Sequence, residues 1–210
     1  MKHRSEKMID LLEIPNFLSA EACAALRAEM RAAGGGPATV SGGNYTPEVR
    51  RTTHAAVPPA TSEGVIRLLM ACKDAIERHF ALTLTDCEDP HFLYYQAGDF
   101  FVAHQDGNTH EGGATRFRKI SAVIFLNAES DEPSPDTYGG GSLVLHGSSL
   151  SPLLRVPLAP VPGTLVAFRS ETTHEVTPVT RGERFTIVSW YRDGNRTGGH
   201  GHLGRRRRRP

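Results

Sequence analysis

Hydrophobic residues recur at helical spacing in two segments near the start of the chain. Residues 20–33 follow Ser19, a residue type that caps helices, and end at the glycines of 34–36, so we predict a helix there. A second helix is predicted over 62–80, because its apolar residues return every three or four positions. These residues are Val65, Leu69, Cys72, Ile76 and Phe80. An apolar helix face must be buried, and we expect both helices to pack against a sheet.

From His91 onward the pattern changes to short runs of aromatic and β-branched residues. Such runs, separated by Gly, Pro or polar turns, predict strands. The runs cover 92–95, 100–102, 120–127, 142–146, 164–168 and 185–191. Because these strands follow the helices instead of alternating with them, the pattern favours a sandwich, jelly roll or barrel over a doubly wound α/β fold. The predicted class is mainly β with flanking helices.

Two polar segments interrupt these elements. Residues 39–59 are rich in Gly, Thr and Pro, and we predict a strand or a long loop there. Residues 128–141 are predicted to form a loop, either a lid or solvent-exposed padding.

A length of 210 residues suits one domain with a sizeable core. We predict that it spans 1–197, with helical support over 1–85 and the β core over 86–197. The low-complexity end, 198–210, is expected to be a disordered basic tail.

The net charge of +1 conceals an asymmetry, because five of the 24 basic residues are arginines 205–209. The rest of the chain has 19 basic against 23 acidic residues, a net charge of −4. A mildly acidic body argues against a nucleic-acid-binding enzyme. From the charge, we do not expect nucleic acid as a partner.

Cysteine usage and the absence of long apolar runs bear on location. Cys23, Cys72 and Cys87 are an odd number with no C-x-x-C pair, which favours neither a disulfide framework nor a thiolate zinc site. The longest clean apolar run, 122–126, is too short for a membrane span or a signal sequence. We predict a cytoplasmic protein with no membrane contact, and the sequence does not indicate its oligomeric state.

Candidate metal chemistry lies in two segments of the predicted β region. His104 and Asp106 follow a predicted strand, and residues two apart in an extended segment point the same way. His174 lies 68 residues beyond Asp106 and follows another predicted strand. Two imidazoles and one carboxylate leave three positions open on an octahedral metal, as in non-haem Fe(II) oxygenases. Arg184 could pair with a carboxylate, and Thr186 shares its strand face.

The ordered motifs YQAGDFFVAHQD, ISAVIFLN, YGGGSLVLHG, GTLVAF and TTHEVTPVTRGERFTIVSWYR resemble the Fe(II)- and 2-oxoglutarate-dependent dioxygenases, in the prolyl 4-hydroxylase-like branch. The resemblance covers about residues 90–192. It implies a double-stranded β-helix, or jelly-roll, core, in agreement with the strand pattern. The residues that it implies are His104, Asp106 and His174 as iron ligands, Arg184 as the partner of the distal 2-oxoglutarate carboxylate, and Tyr95 and Thr186 as further co-substrate contacts.

The strand pattern alone leaves open whether Tyr94 or Tyr95 faces the co-substrate, and the resemblance favours Tyr95. The implied reaction hydroxylates an unactivated C–H bond and consumes O2 and 2-oxoglutarate, with ascorbate as the expected reductant. No catalytic residue is expected beyond the metal centre. A carboxylate at position 106 favours hydroxylation over halogenation, since related halogenases have a small residue there.

The substrate implied by the resemblance is a prolyl residue in a protein or peptide, with a free amino acid or other small metabolite as the alternative. The segment EVRRT resembles the family's segment at the substrate entrance, so Arg50 and Arg51 are candidate substrate contacts. A long groove around Arg50 and residues 129–141 would indicate a polypeptide, and a closed pocket a small molecule. Two weaker alternatives are a non-catalytic jelly roll that binds metal or 2-oxoglutarate, and a nucleic-acid demethylase, supported only by the terminal arginines.

Overall fold

The computed structural model describes residues 9–39, 45–107, 114–148, 151–158 and 161–194, so the predicted tail lies outside the described residues. Its helices are α1 (Ala20–Ala33), α2 (Pro59–Ala71), α3 (Lys73–Phe80) and a short 3-10 helix (Ala114–Phe117). No helix in these ranges is both long enough and apolar enough to cross a membrane.

The strands of the described residues are numbered in chain order. They are β1 (Leu11–Ile14), β2 (Gly35–Pro37), β3 (Arg50–Arg51), β4 (Thr53–Ala55), β5 (Asp86–Cys87), β6 (His91–Tyr95), β7 (Phe100–His104), β8 (Arg118–Phe125), β9 (Ala128–Glu129), β10 (Thr137–Gly140), β11 (Leu143–His146), β12 (Arg155–Leu158), β13 (Leu165–Arg169), β14 (His174–Val176), β15 (Val179–Arg181) and β16 (Arg184–Arg192).

These strands form two facing sheets and one small sheet. The large sheet has the order β1-β13-β8-β16-β6-β4-β2, with β5 also on β16, and the second has the order β12-β11-β14-β7-β3. Apolar side chains of both sheets, including Phe125, Phe168 and Leu145, pack into one cluster between them. The small sheet has the order β15-β10-β9, and its strand β15 directly precedes β16 in the sequence. This architecture confirms the predicted mainly β jelly roll with flanking helices.

A second apolar cluster joins the large sheet to the helices. Ile187 and Tyr191 of β16 are buried in it together with Met30 of α1 and Leu69 of α2. Because side chains alternate along a strand, the other face of β16 is turned toward the space between the sheets. The helices thus buttress the sheet from outside, and the inner face is free to line a site.

The predicted helix over 62–80 is wrong in one respect, because it is two helices that meet at Cys72. The carbonyl of Leu69 accepts hydrogen bonds from the Tyr191 hydroxyl at 2.6 Å, the Cys72 thiol at 3.1 Å and the Cys72 N–H at 3.1 Å. That carbonyl is therefore taken by groups other than the Lys73 N–H, which would continue an α-helix. The predicted helix over 20–33 is confirmed at both ends.

The segment 128–141 is not wholly the loop that its polarity predicted. Its ends form β9 and β10, which pair with each other, and β10 also pairs with β15. Tyr138 of β10 is fully buried. Within 39–59 the chain forms β3 and β4, so that segment contains strands.

Candidate active site

The ends of two paired strands bring the candidate metal ligands together. His104 is the last residue of β7 and His174 the first of β14, and the two are cross-strand partners. Asp106 follows two residues after His104, and potential ligand atoms of the three side chains all lie within 4.8 Å of one another. The Asp106 Oδ1 atom is 3.5 Å from Nε2 of His104, and Oδ2 is 3.4 Å from Nε2 of His174.

Backbone carbonyls fix the orientation of both imidazoles. Nδ1 of His104 lies 2.8 Å from the Val102 carbonyl, and Nδ1 of His174 lies 2.9 Å from the Thr172 carbonyl. Because a carbonyl only accepts, each Nδ1 carries a hydrogen, which leaves Nε2 as the ring atom that can bind a ligand. Hydrogen bonds of this kind are the usual outer-shell support of a metal-binding histidine.

One side-chain and several backbone hydrogen bonds hold Asp106 and its loop in place. The Ser121 hydroxyl donates to Oδ2 at 2.7 Å. The backbone N–H groups of Asp106 and Gly107 both donate to the Ser170 carbonyl, at 3.0 and 2.9 Å. Gln105 donates from Nε2 to the Glu171 carbonyl at 2.7 Å, so the loops before His174 and after His104 are tied together.

The protonation states of the cluster suit a cation. Burial opposes ionisation of Asp106, but the two histidines and the Ser121 hydroxyl hold the pKa of its carboxyl well below the usual range. Burial lowers the pKa of His174, which favours the neutral imidazole. An ionised carboxylate beside a neutral imidazole is the form that binds a metal.

The cluster opens into a cavity of about 690 Å³ between the two larger sheets. One wall is the inner face of β16, where Arg184, Thr186, Val188 and Trp190 alternate with residues that face the helices. Nearly all the site residues predicted from the sequence line this cavity: Arg50, Tyr95, His104, Asp106, His174, Arg184 and Thr186. Tyr94 lies on the opposite face of β6 and stacks on Phe185.

Arg184 is a buried cation without a carboxylate partner among the described residues. Its Nη1 donates to the Thr186 hydroxyl at 3.2 Å, and its guanidinium lies 5.1 Å from the Tyr95 ring centre. Two buried polar atoms at this end, Nε of Arg184 and the Tyr138 hydroxyl, have no hydrogen-bond partner in the described structure. Gly141 has a φ of +64°, and a Cβ there would stand 3.1 Å from Cδ of Arg184.

An aromatic group forms the wall at the far end of β16. The His91 ring lies 5.0 Å from the Trp190 ring and 4.9 Å from the His54 ring. Arg118 lies over Trp190 at 3.7 Å and donates to both carboxylate oxygens of Glu88, at 2.9 and 2.7 Å. Burial, with nearby cationic groups, lowers the pKa of His91 to about 4.

Arg50 and Arg51 differ in position although they are neighbours. Arg50 is buried in the cavity wall, and its guanidinium lies 4.6 Å from the Phe101 ring centre. Arg51 is exposed, lies over Phe100 and does not line the cavity. Residues 129–141 contribute no described residue to the lining either.

Several residues that line the cavity or contact its site residues were not predicted from the sequence. Tyr138 was placed in a loop, and its neighbour Gly141 was quoted only as part of a motif. Ser121 belongs to an apolar strand, where a single hydroxyl gives a weak signal. The period of two along β16 could have indicated Trp190, because it shares a strand face with Arg184 and Thr186.

Comparison with known proteins places this site in a family. A model described as the 2OG-Fe(II) oxygenase superfamily matches residues 90–192. A PKHD-type hydroxylase of Shewanella sp. (strain MR-4) is 32% identical over 190 residues, which cover 86% of this chain and 77% of that protein. A prolyl-4-hydroxylase structure from Pseudomonas putida has a TM-score of 0.68 and 28% identity over 89% of this chain and 94% of that one.

A prolyl hydroxylase structure from Trichoplax adhaerens, in complex with a peptide fragment of the hypoxia inducible factor oxygen degradation domain, has a TM-score of 0.65. It is 18% identical and covers 88% of this chain and 84% of that one. At this identity the match shows the shared fold.

The chain therefore belongs to the 2OG-Fe(II) oxygenase superfamily, the class in which a jelly roll carries a His-Asp-His cluster. Within it, the chain is a hydroxylase of the prolyl 4-hydroxylase-like branch, with PKHD-type hydroxylases among its relatives. This membership implies Fe(II) and 2-oxoglutarate and confirms the enzyme class that the motifs predicted.

Proposed function

We propose that the protein hydroxylates prolyl residues in a protein or peptide, with Fe(II) held by His104, Asp106 and His174 and with 2-oxoglutarate anchored by Arg184. The observation that carries the proposal is the single cavity in which the ligand cluster and the buried, unpaired Arg184 both lie. Two neutral imidazoles and one carboxylate are the donor set of non-haem Fe(II) oxygenases. The prolyl substrate is supported by the relatives, which are PKHD-type and prolyl hydroxylases.

The donors at the Arg184 end fit the second carboxylate of 2-oxoglutarate. Nε of Arg184 and the Tyr138 hydroxyl are buried donors without partners in the described residues, and a carboxylate would satisfy both. Tyr95 and Thr186 flank the guanidinium and would hold it in place. The rings of Tyr95 and Phe125 keep water from this end and strengthen the ion pair.

When bound, Fe(II) and 2-oxoglutarate supply the oxidising chemistry, in which dioxygen is consumed, 2-oxoglutarate becomes succinate and carbon dioxide, and a C–H bond becomes C–OH. The residues of this chain position the reactants: Ser121 orients the carboxylate of Asp106, and backbone carbonyls orient the histidines. Ascorbate as reductant is part of the proposal. The unpaired thiols of Cys23, Cys72 and Cys87 support a reducing, cytoplasmic location.

Succinate formation from 2-oxoglutarate tests the proposal. The purified protein is incubated with Fe(II), ascorbate and air, with and without proline-containing peptides, and peptides are analysed for a mass gain of one oxygen atom. We expect succinate from the wild type and none from His174→Ala or Arg184→Ala. His79→Ala is the matched control, because His79 pairs with Asp10 outside the cavity. Succinate from His174→Ala would refute the metal assignment.

A hydroxylase of a free amino acid or other small metabolite is the second candidate. Arg50 is buried in the cavity wall. It would favour a small metabolite whose carboxylate faces that side of the cavity. Supplying free proline in the same assay separates the candidates, since a peptide hydroxylase would leave it unchanged.

A further inference from the structure

The charges that face the cavity do not balance. Its described lining contains three guanidinium groups and one carboxylate, Asp106. Two of the three cations have an assigned partner: Arg118 is bonded twice to Glu88, and Arg184 is proposed to hold 2-oxoglutarate. The third cation, Arg50, has no carboxylate within ion-pair distance among the described residues.

Arg50 is buried more deeply than an unpaired cation normally is. Only 8% of the Arg50 residue surface is exposed to solvent. Nη1 donates to the Thr39 carbonyl at 3.1 Å, whereas Nε is buried without any partner in the described structure. Taking a guanidinium out of water in this way costs free energy unless an anion and further acceptors compensate. The described residues therefore supply no anionic partner for this buried cation, and a bound molecule can provide one.

A stack of three side chains fixes where that partner would lie. The Arg50 guanidinium lies 4.6 Å from the Phe101 ring centre, and the Phe101 ring lies 3.6 Å from the His104 ring, at 19°. Arg50 thus contacts the same aromatic ring as a candidate metal ligand. An anion at Arg50 is close enough to belong to a molecule whose reacting carbon is at the metal.

The co-substrate does not account for this cation. Arg50 and Phe101 are cross-strand partners in the second sheet, whereas Arg184 is paired with Tyr95 in the large sheet. 2-Oxoglutarate, anchored on Arg184 and reaching to the metal, leaves Arg50 for another molecule. A single guanidinium balances one negative charge, and its planar fork matches a carboxylate. A phosphate, with more charge, would call for more cations.

We propose that Arg50 binds a carboxylate of the primary substrate, so that the enzyme prefers substrates with an acidic group near the hydroxylated carbon. This inference rests on the proposed function and names the chemistry of its substrate. The carboxylate can belong to a terminal or free amino acid or to an acidic side chain beside the target residue. Both sources present the same group to Arg50.

The single tryptophan of the chain, Trp190, lines the cavity and provides a readout that does not depend on turnover. The full-length protein is loaded with Mn(II) and 2-oxoglutarate under nitrogen, and quenching of tryptophan fluorescence is titrated with two matched pairs of probes. The first pair is N-acetylproline and N-acetylprolinamide. The second is the peptide N-acetyl-Ala-Pro-Asp-amide and its Asn counterpart.

We expect the charged member of at least one pair to bind about tenfold or more tightly than its neutral partner. A preference in the first pair identifies a main-chain carboxylate, and a preference in the second an acidic side chain. Arg50→Gln is expected to abolish the preference, Arg50→Lys to reduce it, and Arg51→Gln to retain it. Because each preference is a ratio measured within one protein, a general loss of affinity does not imitate the result.

Equal binding of charged and neutral probes to the wild type in both pairs overturns the proposal, as does a preference that survives Arg50→Gln. Succinate formation by the wild type with Fe(II), 2-oxoglutarate, ascorbate and air is measured in parallel, with and without the proline-containing peptides of the first assay. If the wild type forms no succinate, the proposed function fails on its own, whatever the charge preference is.

Discussion

Replacement of Arg184 by methionine should separate the protein's stability from its ability to bind 2-oxoglutarate. Arg184 is 1% exposed, and its guanidinium lies 5.1 Å from the Tyr95 ring centre and 5.7 Å from the Phe125 ring centre. Among the described residues, only the Thr186 hydroxyl accepts a hydrogen bond from it. An unpaired buried charge lowers the free energy of unfolding by roughly 3–5 kcal/mol. Methionine fills a similar volume and carries no charge. Relief of ~1–2 kcal/mol in a chain of this size would raise Tm by about 2–8 °C.

The same substitution removes the anchor of the co-substrate. Two hydrogen bonds to a carboxylate at ~1.5–3 kcal/mol each correspond to a Kd increase of about 10²–10⁴-fold. For the wild type, 2-oxoglutarate at 100 times Kd stabilises by about 2.7 kcal/mol, which raises Tm by about 5–11 °C. Arg184→Met at the same concentration should show no such rise.

Differential scanning calorimetry of the Mn(II)-loaded protein under nitrogen, with and without 2-oxoglutarate, measures both effects. Arg192→Met is the matched control on the same strand, because Arg192 donates to both Asp86 carboxylate oxygens, at 3.0 and 2.9 Å, outside the cavity. It should lower Tm or leave it unchanged and should keep the full response to 2-oxoglutarate. An Arg184→Met variant that loses stability yet keeps the wild-type response would refute the reasoning.

Three further predictions address the metal support, the pH dependence and the helix packing. Ser121→Ala should weaken Co(II) binding, measured by visible absorbance, about tenfold, since it removes a hydrogen bond that orients Asp106. Burial lowers the pKa of folded His91 to about 4, whereas an unfolded histidine takes up a proton near pH 6.5. The free energy of unfolding should therefore fall as the pH drops from 6.5 to 4. His91→Phe should flatten this slope by up to about 1.4 kcal/mol per pH unit, as measured by urea unfolding. Leu69→Ala should cost about 2–5 kcal/mol of unfolding free energy, whereas Leu68→Ala, at a position 42% exposed, should cost about 0.5 kcal/mol or less.

Each of these has a definite contrary result. Unchanged Co(II) affinity in Ser121→Ala would mean that backbone contacts alone hold Asp106. Equal pH slopes for wild type and His91→Phe would assign the acid sensitivity to other groups. Similar losses for Leu69→Ala and Leu68→Ala would mean that α2 does not anchor the large sheet through its buried face.

The predictable part of this protein is the part with strong local patterns. The helix of 20–33 has a cap, an apolar periodicity and a glycine stop, and its ends are as predicted. The six long strands were visible because aromatic and β-branched residues accumulate in them. The candidate ligands were found because His104 and Asp106 are two positions apart after a predicted strand, and because His174 and Arg184 follow in an order that resembles a known family.

The unpredicted parts depend on distant contacts. The break at Cys72 arises because the Tyr191 hydroxyl, 119 positions away, competes for a helical carbonyl. Tyr138 lies in a polar stretch of sequence, and its burial accompanies the pairing of β10 with β9 and β15, which no local pattern indicates. The different environments of Arg50 and Arg51 follow from the register of a two-residue strand, which sequence patterns do not resolve.

The alternation along β16 also determines how freely this enzyme can diverge. Thr186, Val188 and Trp190 face the cavity, whereas Ile187 and Tyr191 hold the sheet to the helices. Substitutions at Val188 can change the shape of the cavity without touching the contacts that join sheet and helices, which suits this position to directed evolution. A one-residue insertion would exchange the two sets, and catalysis and architecture would be lost together.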